Sequence, residues 1–310
     1  ARRVCQQLGV PHYVLNLEDR FGHDVVDDFV QEYARGRTPI PCVRCNTFTK
    51  FRDLLRKADA IDARWIATGH YARVDAGTLR RGVDARKDQT YFLWGIERGV
   101  LARLLLPVGD RAKAETRAVA RELGLAVVAD KVESQDICFV PDGDHTTVIR
   151  QRLGDGAPSL APGPIVLADG RVVGRHDGHA RYTIGQRRGL PGGFGEPMYV
   201  VDIRPADRAV VIGPREAVLG RGVVVRGVNW LVDPLPPGAA VEVQVRHRAR
   251  PVAAELVRVD GDEIELALQE PVAAITPGQS LVCYDGDRVL GGGVIERAMR
   301  TGRALPVRAA

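Results

Sequence analysis

Residues 37–51 read RTPIPCVRCNTFTKF, and this stretch decides the fold because it joins a stiff loop to an amphipathic helix. Proline fixes its own φ and biases the preceding residue away from helix, so Pro39 and Pro41 hold the loop extended. After the loop, apolar residues recur at helical spacing. Cys42 and Cys45 therefore lie at or just before a helix N-terminus, where the helix dipole favours a thiolate.

A CxxC pair is also typical of half a zinc site, or of two buried and inert cysteines. The chain has five cysteines, and its first ten residues, ARRVCQQLGV, lack the apolar core of a signal peptide. No apolar run approaches the roughly 18 residues that cross a bilayer. We therefore expect reduced thiols rather than a disulfide framework, in a cytoplasmic protein with no membrane segment.

Strand and helix patterns alternate around the cysteine helix. Val26, Phe29 and Tyr33 form one apolar helix face before it, and residues 65–68 (WIAT) form a short buried strand after it. This order indicates a parallel sheet, which binds ligands beyond the carboxyl ends of its strands. The Gly-His pair at residues 69–70 follows such an end, although the histidine could equally be a loop residue that bonds to backbone.

The rest of the first 153 residues contains three further features. Residues 71–81 can form a hairpin around a turn at residues 75–77. A polar cluster at residues 87–89 (KDQ) precedes an apolar run and is typical of a solvated turn. Cys138 lies in SQDICFV between two large apolar residues, which by itself is typical of a core position.

The composition changes after residue 153. A Pro/Gly-rich connector, residues 154–163, is followed by strand patterns with almost no helical period. The sequence predicts an α/β domain with a parallel sheet (1–153), a small β-rich domain (154–218), a C-terminal β-barrel (219–300) and a tail (301–310).

The charge pattern is compatible with a phosphate-bearing partner. Net charge is +5, and 39 of the 44 basic residues are arginine. Residues 246–250 (RHRAR) make one barrel strand end strongly basic, which suits contacts to an RNA backbone.

Three thiols could carry the chemistry if Cys138 approaches Cys42 and Cys45 in the fold. A structural zinc site would lack its fourth ligand. One alternative is sulfur transfer, in which one cysteine carries a persulfide and another attacks it, leaving a disulfide that must be reduced. The other is a [4Fe–4S] cluster held by three cysteines, with one iron left free.

Several motifs also carry a family resemblance. The pieces TPIPCVRCNTFTKF, ATGHYARV, KDQTYFLWGI, DICFV, RYTIGQRRGL and PVAAITPGQSLVCYDGDRVLGGGVIE follow one another in the order and approximate spacing of the tRNA-specific 2-thiouridylases. From residue 1 to about residue 298 the chain resembles this family of ATP-pyrophosphatases. The resemblance implies an adenine nucleotide alpha hydrolase-like first domain.

The reaction that the resemblance implies takes place at the wobble uridine, U34, of certain tRNAs. ATP, accompanied by Mg²⁺, adenylates the C2 oxygen, and sulfur from an enzyme persulfide replaces it to give 2-thiouridine, AMP and pyrophosphate. A cysteine desulfurase or a sulfur-relay protein would supply the sulfur.

Matching positions imply the roles of individual residues. Cys45 matches the position of the family's nucleophile, and Cys138 matches the position of its persulfide carrier. Gly69 would contact ATP. The target base would meet Ile40, Pro41 and Cys42. The positions that resemble the family's tRNA contacts are His70, Lys87, Asp88, Gln89, Arg246, His247 and Gln279.

The chain departs from the family pattern at three places. Many members have Asp at the position of Cys42, so a third thiol here favours the cluster hypothesis with Cys42, Cys45 and Cys138 as iron ligands. A tyrosine common in the family is His247 here. No match occurs to the family's phosphate-binding loop, SGGxDS, so we expect an N-terminally truncated chain that cannot adenylate uridine by itself.

Three other functions remain compatible with these residues. They are a non-catalytic tRNA-binding fragment, another sulfur-inserting RNA-modifying ATP-pyrophosphatase, and a structural zinc protein.

Overall fold

The computed structural model describes residues 1–130 and 137–300. Helix α1 (Arg2–Leu8) ends at Gly9, whose φ of +66° is the left-handed conformation common after helices. A second helical stretch runs through α2 (Glu18–Phe21), a π-helical segment (Gly22–Asp27) and α3 (Asp28–Ala34). Among residues 1–130 and 137–300, no helix is both long enough and apolar enough to cross a membrane.

The apolar face predicted for the second helical stretch is confirmed. Phe29 and Val30 are almost fully buried and pack against α8 (His145–Leu153). Asp144 caps α8 by accepting a hydrogen bond from the backbone N–H of Thr146 at 3.0 Å.

The cysteine helix is one continuous rod made of three parts. Helix α4 (Pro41–Arg44) leads into a π-helical segment (Cys45–Phe51), and α5 (Arg52–Ala60) follows without a break. Two further helices, α6 (Lys113–Glu122) and α7 (Ala126–Ala129), follow in this domain before α8.

A parallel strand pair lies beside the cysteine helix, as predicted for an α/β domain. The first four strands are β1 (Ile66–Ala67), β2 (Ala72–Asp75), β3 (Thr78–Arg81) and β4 (Leu104–Leu105). β1 and β4 pair in parallel, and the N–H of Thr68 extends the pairing by donating to Leu105 at 3.1 Å.

The middle domain is the predicted β-rich unit. Its strands are β5 (Gly163–Leu167), β6 (Val172–His176), β7 (Tyr199–Arg204) and β8 (Ala209–Gly213). They lie in the order β6-β5-β8-β7, in which β5 and β8 are parallel and the other pairs antiparallel. Apolar side chains cover both faces of this sheet.

The C-terminal domain is a closed antiparallel barrel. Its strands are β9 (Leu219–Trp230), β10 (Ala240–Gln244), β11 (Val252–Asp260), β12 (Glu263–Ala273), β13 (Ser280–Asp285) and β14 (Arg288–Arg300). β13 pairs with both β10 and β14, and this closes the ring. Alternating valines and leucines point inward, as the period-two pattern predicted.

The predicted hairpin β2–β3 forms, and it joins the barrel sheet. Arg80 on β3 pairs with Arg288 on β14. The largest apolar core is shared in the same way, because Val282, Tyr284 and Val289 from the barrel pack into the cluster that contains Trp94. The sheet and the core therefore both cross the boundary predicted at residue 153.

Candidate active site

The N-terminus of the cysteine helix is set by the two prolines. Ile40 is extended, with a φ of −117° and a ψ of 89°, and Pro41 occupies the first helical turn. A proline there has its φ already fixed for a helix and lacks only an N–H that would have no partner. Cys42 therefore lies in the first turn of the helix, and Cys45 begins the π-helical segment one turn later.

Cys42, Cys45 and Cys138 lie close enough for their charges to interact. Cys138 is exposed although the residues that flank it are apolar, because Phe139 turns inward and its ring centroid lies 5.1 Å from that of Phe29. The core position that its sequence suggested is therefore wrong. Negative charge on Cys138 would raise the pKa of both other thiols, so the three sulfur atoms lie within interaction range.

The pKa values of the two helix cysteines differ from the expectation of a favoured thiolate. Surrounding protein atoms desolvate Cys42 and raise its pKa, although the residue as a whole is exposed, and the neighbouring thiols raise it further. Desolvation also raises the pKa of Cys45. Burial thus outweighs the helix N-terminus at both positions.

Lys50 is a site residue that the sequence reasoning missed. Its positive charge lowers the pKa of Cys42 and of Cys45, in opposition to burial. Its Nζ donates to Asn46 Oδ1 at 2.9 Å, and the amide of the buried Asn46 donates in turn to the Phe92 carbonyl at 3.0 Å. The signal for Lys50 lies in the quoted piece TPIPCVRCNTFTKF, in which Lys50 follows Cys45 by five residues.

The π-helical segment explains how Lys50 reaches the thiols. In a π-helix the hydrogen bonds run from residue i to i+5, so residues five apart lie about one turn from each other. Cys45 and Lys50 are five apart and occur in the same π-helical segment. In a regular α-helix, residues five apart point in different directions.

Gly69 and His70 lie directly beyond the end of β1, as predicted. No heavy atom stands within 4 Å of the place where a Cβ on Gly69 would be, so the glycine borders open space that a ligand could enter. This arrangement fits ATP, whose binding at Gly69 stays a prediction.

His70 is 9% exposed. Its Nδ1 shares a hydrogen bond of 2.8 Å with the Thr68 hydroxyl, and its ring packs near Phe51. Burial lowers the pKa of His70 to about 4, and the charge of Lys50 contributes to the shift. A tRNA contact at His70 also stays a prediction.

The residues predicted to meet the target base lie on different faces of the segment. Pro41 is buried, whereas Cys42 is exposed and its pKa is raised by burial and by the charges of the other two thiols. Ile40 lines a cavity of about 450 Å³ between the cysteine helix and the barrel, together with Val43, Thr47 and Trp94. Because these helix positions are three or four residues apart, the cavity lies on the face that points away from the thiols.

The polar cluster at residues 87–89 is built into the hairpin. Asp88 has a side chain that is only 7% exposed and accepts hydrogen bonds from Arg81, from the Gly82 N–H and from the Thr90 hydroxyl. Gln89 accepts from the Tyr71 N–H at 2.9 Å. Lys87 also has interactions within the protein.

The basic end of β10 meets this cluster. Arg81 reaches the carbonyl oxygen of the Gln244 side chain at 3.3 Å and lies over the Tyr284 ring at 3.6 Å. The His247 ring is 4.5 Å from that of Phe92. Burial lowers the pKa of His247, and the charge of Asp88 opposes that shift. The predicted tRNA positions Lys87, Asp88, Gln89, Arg246 and His247 therefore belong to one surface region.

Gln279 lies apart from that region, beside the cysteine loop, which is the extended segment of residues 37–40 before the cysteine helix. Its side-chain amide donates to the Thr38 carbonyl at 2.9 Å. The structure thus gives Gln279 a contact to the protein, while its contact to tRNA stays a prediction.

The described residues contain no group of three His, Cys, Asp or Glu side chains arranged to hold a metal ion. A [4Fe–4S] cluster held by Cys42, Cys45 and Cys138 stays a prediction.

Comparison with known proteins assigns three domain families to the chain. A tRNA methyl transferase HUP domain matches residues 1–142, a tRNA methyl transferase PRC-barrel domain matches residues 151–214, and an aminomethyltransferase beta-barrel domain matches residues 220–295.

Curated relatives are similar over nearly the whole chain. A protein of Carboxydothermus hydrogenoformans named tRNA-specific 2-thiouridylase MnmA is 46% identical over 306 residues, which cover 96% of this chain and 83% of that protein. A protein of the same name from Rhodospirillum centenum is 49% identical, with 96% and 78% covered. A third, from Geotalea uraniireducens, is 45% identical, with 98% and 82% covered. The chain therefore belongs to the tRNA-specific 2-thiouridylase family.

Proposed function

We propose that this protein is a tRNA-uridine 2-sulfurtransferase that replaces the C2 oxygen of the wobble uridine U34 by sulfur. The observation that supports this best is the convergence of Cys42, Cys45 and Cys138 beside Lys50. Similarity to relatives named as 2-thiouridylases supports the same reaction.

In the proposed first step ATP is a co-substrate, and because no residues here match the SGGxDS phosphate-binding loop, residues 1–310 by themselves are not expected to complete this step. The C2 oxygen of U34 attacks the α-phosphorus of ATP, pyrophosphate leaves, and the oxygen becomes part of an AMP leaving group. The open space at Gly69, beyond a parallel strand end, supports nucleotide binding there. Mg²⁺ would accompany the phosphates, which are its preferred ligands.

In the proposed second step sulfur moves between two cysteines. Cys138 carries a persulfide, and the Cys45 thiolate attacks the inner sulfur of that persulfide. A Cys45–Cys138 disulfide forms, the terminal sulfur leaves as hydrosulfide, and hydrosulfide displaces AMP from C2. A thiol reductant must then supply two electrons to reopen the disulfide, and a cysteine desulfurase or a sulfur-relay protein reloads Cys138.

The environment of Cys45 suits this chemistry. The thiol is half-buried, so water and oxidants reach it poorly, and the charge of Lys50 offsets part of the cost of forming the anion. We further propose that tRNA binds across the surface formed by the hairpin and the end of β10, with its anticodon loop directed toward the cysteine helix. Anticodon loops offer unstacked bases that such a site can take up.

The test is the nucleoside content of tRNA from cells in which the chromosomal gene carries Cys45→Ser or Cys138→Ser. Each variant is expected to abolish 2-thiouridine derivatives measured by mass spectrometry. Cys5→Ser, on α1 and outside the thiol group, is the matched control and should leave them unchanged.

Different failures of this test have different meanings. Normal 2-thiouridine in both variants, with tRNA binding retained, would indicate a non-catalytic RNA-binding protein. Loss of a different thionucleoside would indicate another sulfur-inserting ATP-pyrophosphatase.

A further inference from the structure

All three domains meet at Thr38, four residues before the first thiol of the site. Its N–H donates to the Pro277 carbonyl of the barrel at 2.9 Å, and its carbonyl accepts from Gln279 Nε2 at 2.9 Å. Its hydroxyl donates to the Thr183 hydroxyl of the middle domain at 3.1 Å. Both backbone polar groups and the side chain of one residue are thus bonded to the other two domains.

The backbones at this junction are in direct contact. Gly278 has a φ of +89°, and a Cβ on it would lie 2.9 Å from the Thr38 nitrogen. Any side chain at residue 278 would therefore both strain the backbone and push the cysteine loop away from the barrel.

Arg37 adds a charged bond beside this backbone contact. Its Nε donates to Glu32 at 2.6 Å, Nη1 donates to Glu296 at 2.8 Å, and Nη2 donates to the Ile295 carbonyl at 3.2 Å. The Arg37 side chain is only 18% exposed, so solvent screens these bonds little. One guanidinium therefore links α3 to β14 through the start of the cysteine loop.

The chain between this junction and the thiols has little freedom. Pro39 and Pro41 each have a fixed φ, and Pro41 is buried in the first turn of the cysteine helix. A displacement of Arg37 and Thr38 is therefore passed on to Cys42 rather than absorbed by the loop.

We infer that Arg37 is a positioning residue for the sulfur-transfer step: through Glu296 and the contacts of Thr38 it fixes the cysteine segment relative to the barrel that holds the RNA. This inference rests on the proposed function. Arg37 would touch neither the target base nor a sulfur atom, and its effect would appear in the rate of the reaction rather than in tRNA affinity.

The experiment compares Arg37→Ala, Arg37→Lys and Glu296→Gln, each made as the product of the chromosomal gene, with the unchanged product of that gene. Arg37→Ala is expected to lower the single-turnover rate of 2-thiouridine formation by about 10- to 100-fold, because misplacing reacting groups by about 1 Å can cost this much. tRNA affinity should change by less than about threefold, since positions away from the junction remain intact. Arg37→Lys keeps the positive charge, but a single ammonium group cannot make the same three hydrogen bonds as the guanidinium. Its rate should therefore be intermediate.

Arg35→Ala is the matched control. Arg35 also bonds to Glu32, at 3.4 Å, but its side chain is 68% exposed and makes no bond to the barrel among the described residues. Its rate and affinity should equal those of the unchanged protein.

A second readout is independent of catalysis. The ratio of alkylation rates at Cys42 and Cys45, measured by peptide mass spectrometry, should change in Arg37→Ala and not in Arg35→Ala. If the unchanged product of the chromosomal gene forms no 2-thiouridine, the proposed function fails and this ratio still tests the positioning role.

Three outcomes would overturn the inference. They are an unchanged rate and ratio in Arg37→Ala, a parallel loss of rate and tRNA affinity, and equal effects of the Arg35 and Arg37 variants. If Arg37→Ala does not fold, Glu296→Gln decides, because it keeps an acceptor for Arg37 and removes only the charge.

Discussion

The charge on Lys50 opposes desolvation at the thiols. Burial raises the pKa of Cys45, and Lys50 is the group that works against that rise. The amine is held in place by Asn46, which is itself fixed to the Phe92 carbonyl. A half-buried thiol with a fixed cation can stay protonated at rest and still form a thiolate at low cost when a persulfide approaches.

Replacing Lys50 by Met should make Cys45 less reactive. We expect the pKa of Cys45 to rise and its alkylation rate at pH 7 to fall about fivefold, because an opposite charge near a thiolate is lost. The measurement is the pH dependence of iodoacetamide labelling at Cys45. Lys57→Met, a change on the same helix at a lysine that lies near Tyr13, is the control. An unchanged labelling profile would contradict the role of Lys50.

His70 should make the protein sensitive to acid. Its pKa is about 4 in the folded protein and near 6.5 when unfolded, so between these values the unfolded chain binds the extra proton. Its contribution is complete above pH 6.5 and is lost as pH falls toward 4. From pH 7.5 to 5 this loss amounts to about 2 kcal/mol of unfolding free energy.

The His70→Asn variant should lose that part of the pH dependence. Urea unfolding at the two pH values measures it, with the exposed His23 changed to Asn as the control. Equal pH dependence in the His70 variant and the unchanged protein would show that His70 is not the buried neutral group.

At the scale of elements, the cysteine helix was predictable and its π-helical segment was not. Apolar spacing identifies a helix, but over seven residues it cannot distinguish a period of 3.6 from a wider turn, so the approach of Lys50 to Cys45 stayed hidden. The exposure of Cys138 was hidden for another reason. The residues that flank Cys138 pack into the core, and a short apolar run does not show which of its side chains is exposed to solvent.

The hairpin shows the same limit. Its strands and turn follow from local sequence, whereas its pairing with β14 depends on residues about 200 positions later. Asp88 looked like a solvated turn residue, yet its carboxylate holds the hairpin end together through Arg81, Gly82 and Thr90.

Asp88 and Lys87 should therefore behave differently when changed to alanine. Asp88→Ala should lower the free energy of unfolding by about 2 kcal/mol, because several buried donors lose their acceptor. Lys87→Ala should reduce the salt dependence of tRNA binding by about one charge. Thermal unfolding of the Asp88 variant and salt titrations of tRNA affinity for the Lys87 variant test these expectations. An unchanged free energy of unfolding in Asp88→Ala would contradict the structural role of Asp88.

At the scale of the whole molecule, the α/β domain and the barrel share one apolar core. Trp94 packs there with Tyr284, and its indole N–H donates to the Ser280 hydroxyl at 3.0 Å. The sequence predicted the class of each domain because strand and helix periods are local. It could not show the shared core, since that core depends on contacts between distant parts of the chain.

The shared core predicts that the two domains unfold together. Amide hydrogen exchange in urea should give the same opening free energy for the slowest amides of the cysteine helix and of β14. Trp94→Ala should lower both values by about 3 kcal/mol, since it leaves a large cavity. Two well-separated transitions, with only one affected by Trp94→Ala, would contradict the prediction.

The hairpin that joins the barrel sheet has a practical consequence for building chimaeras from relatives. If the barrel of one relative is joined to the α/β domain of another, its β14 has to pair with a β3 of different sequence. A poor match between these two strands would leave an unpaired strand edge, which promotes aggregation. Residues 72–81 should therefore be taken from the same relative as the barrel, although they come almost 140 residues before it in the sequence.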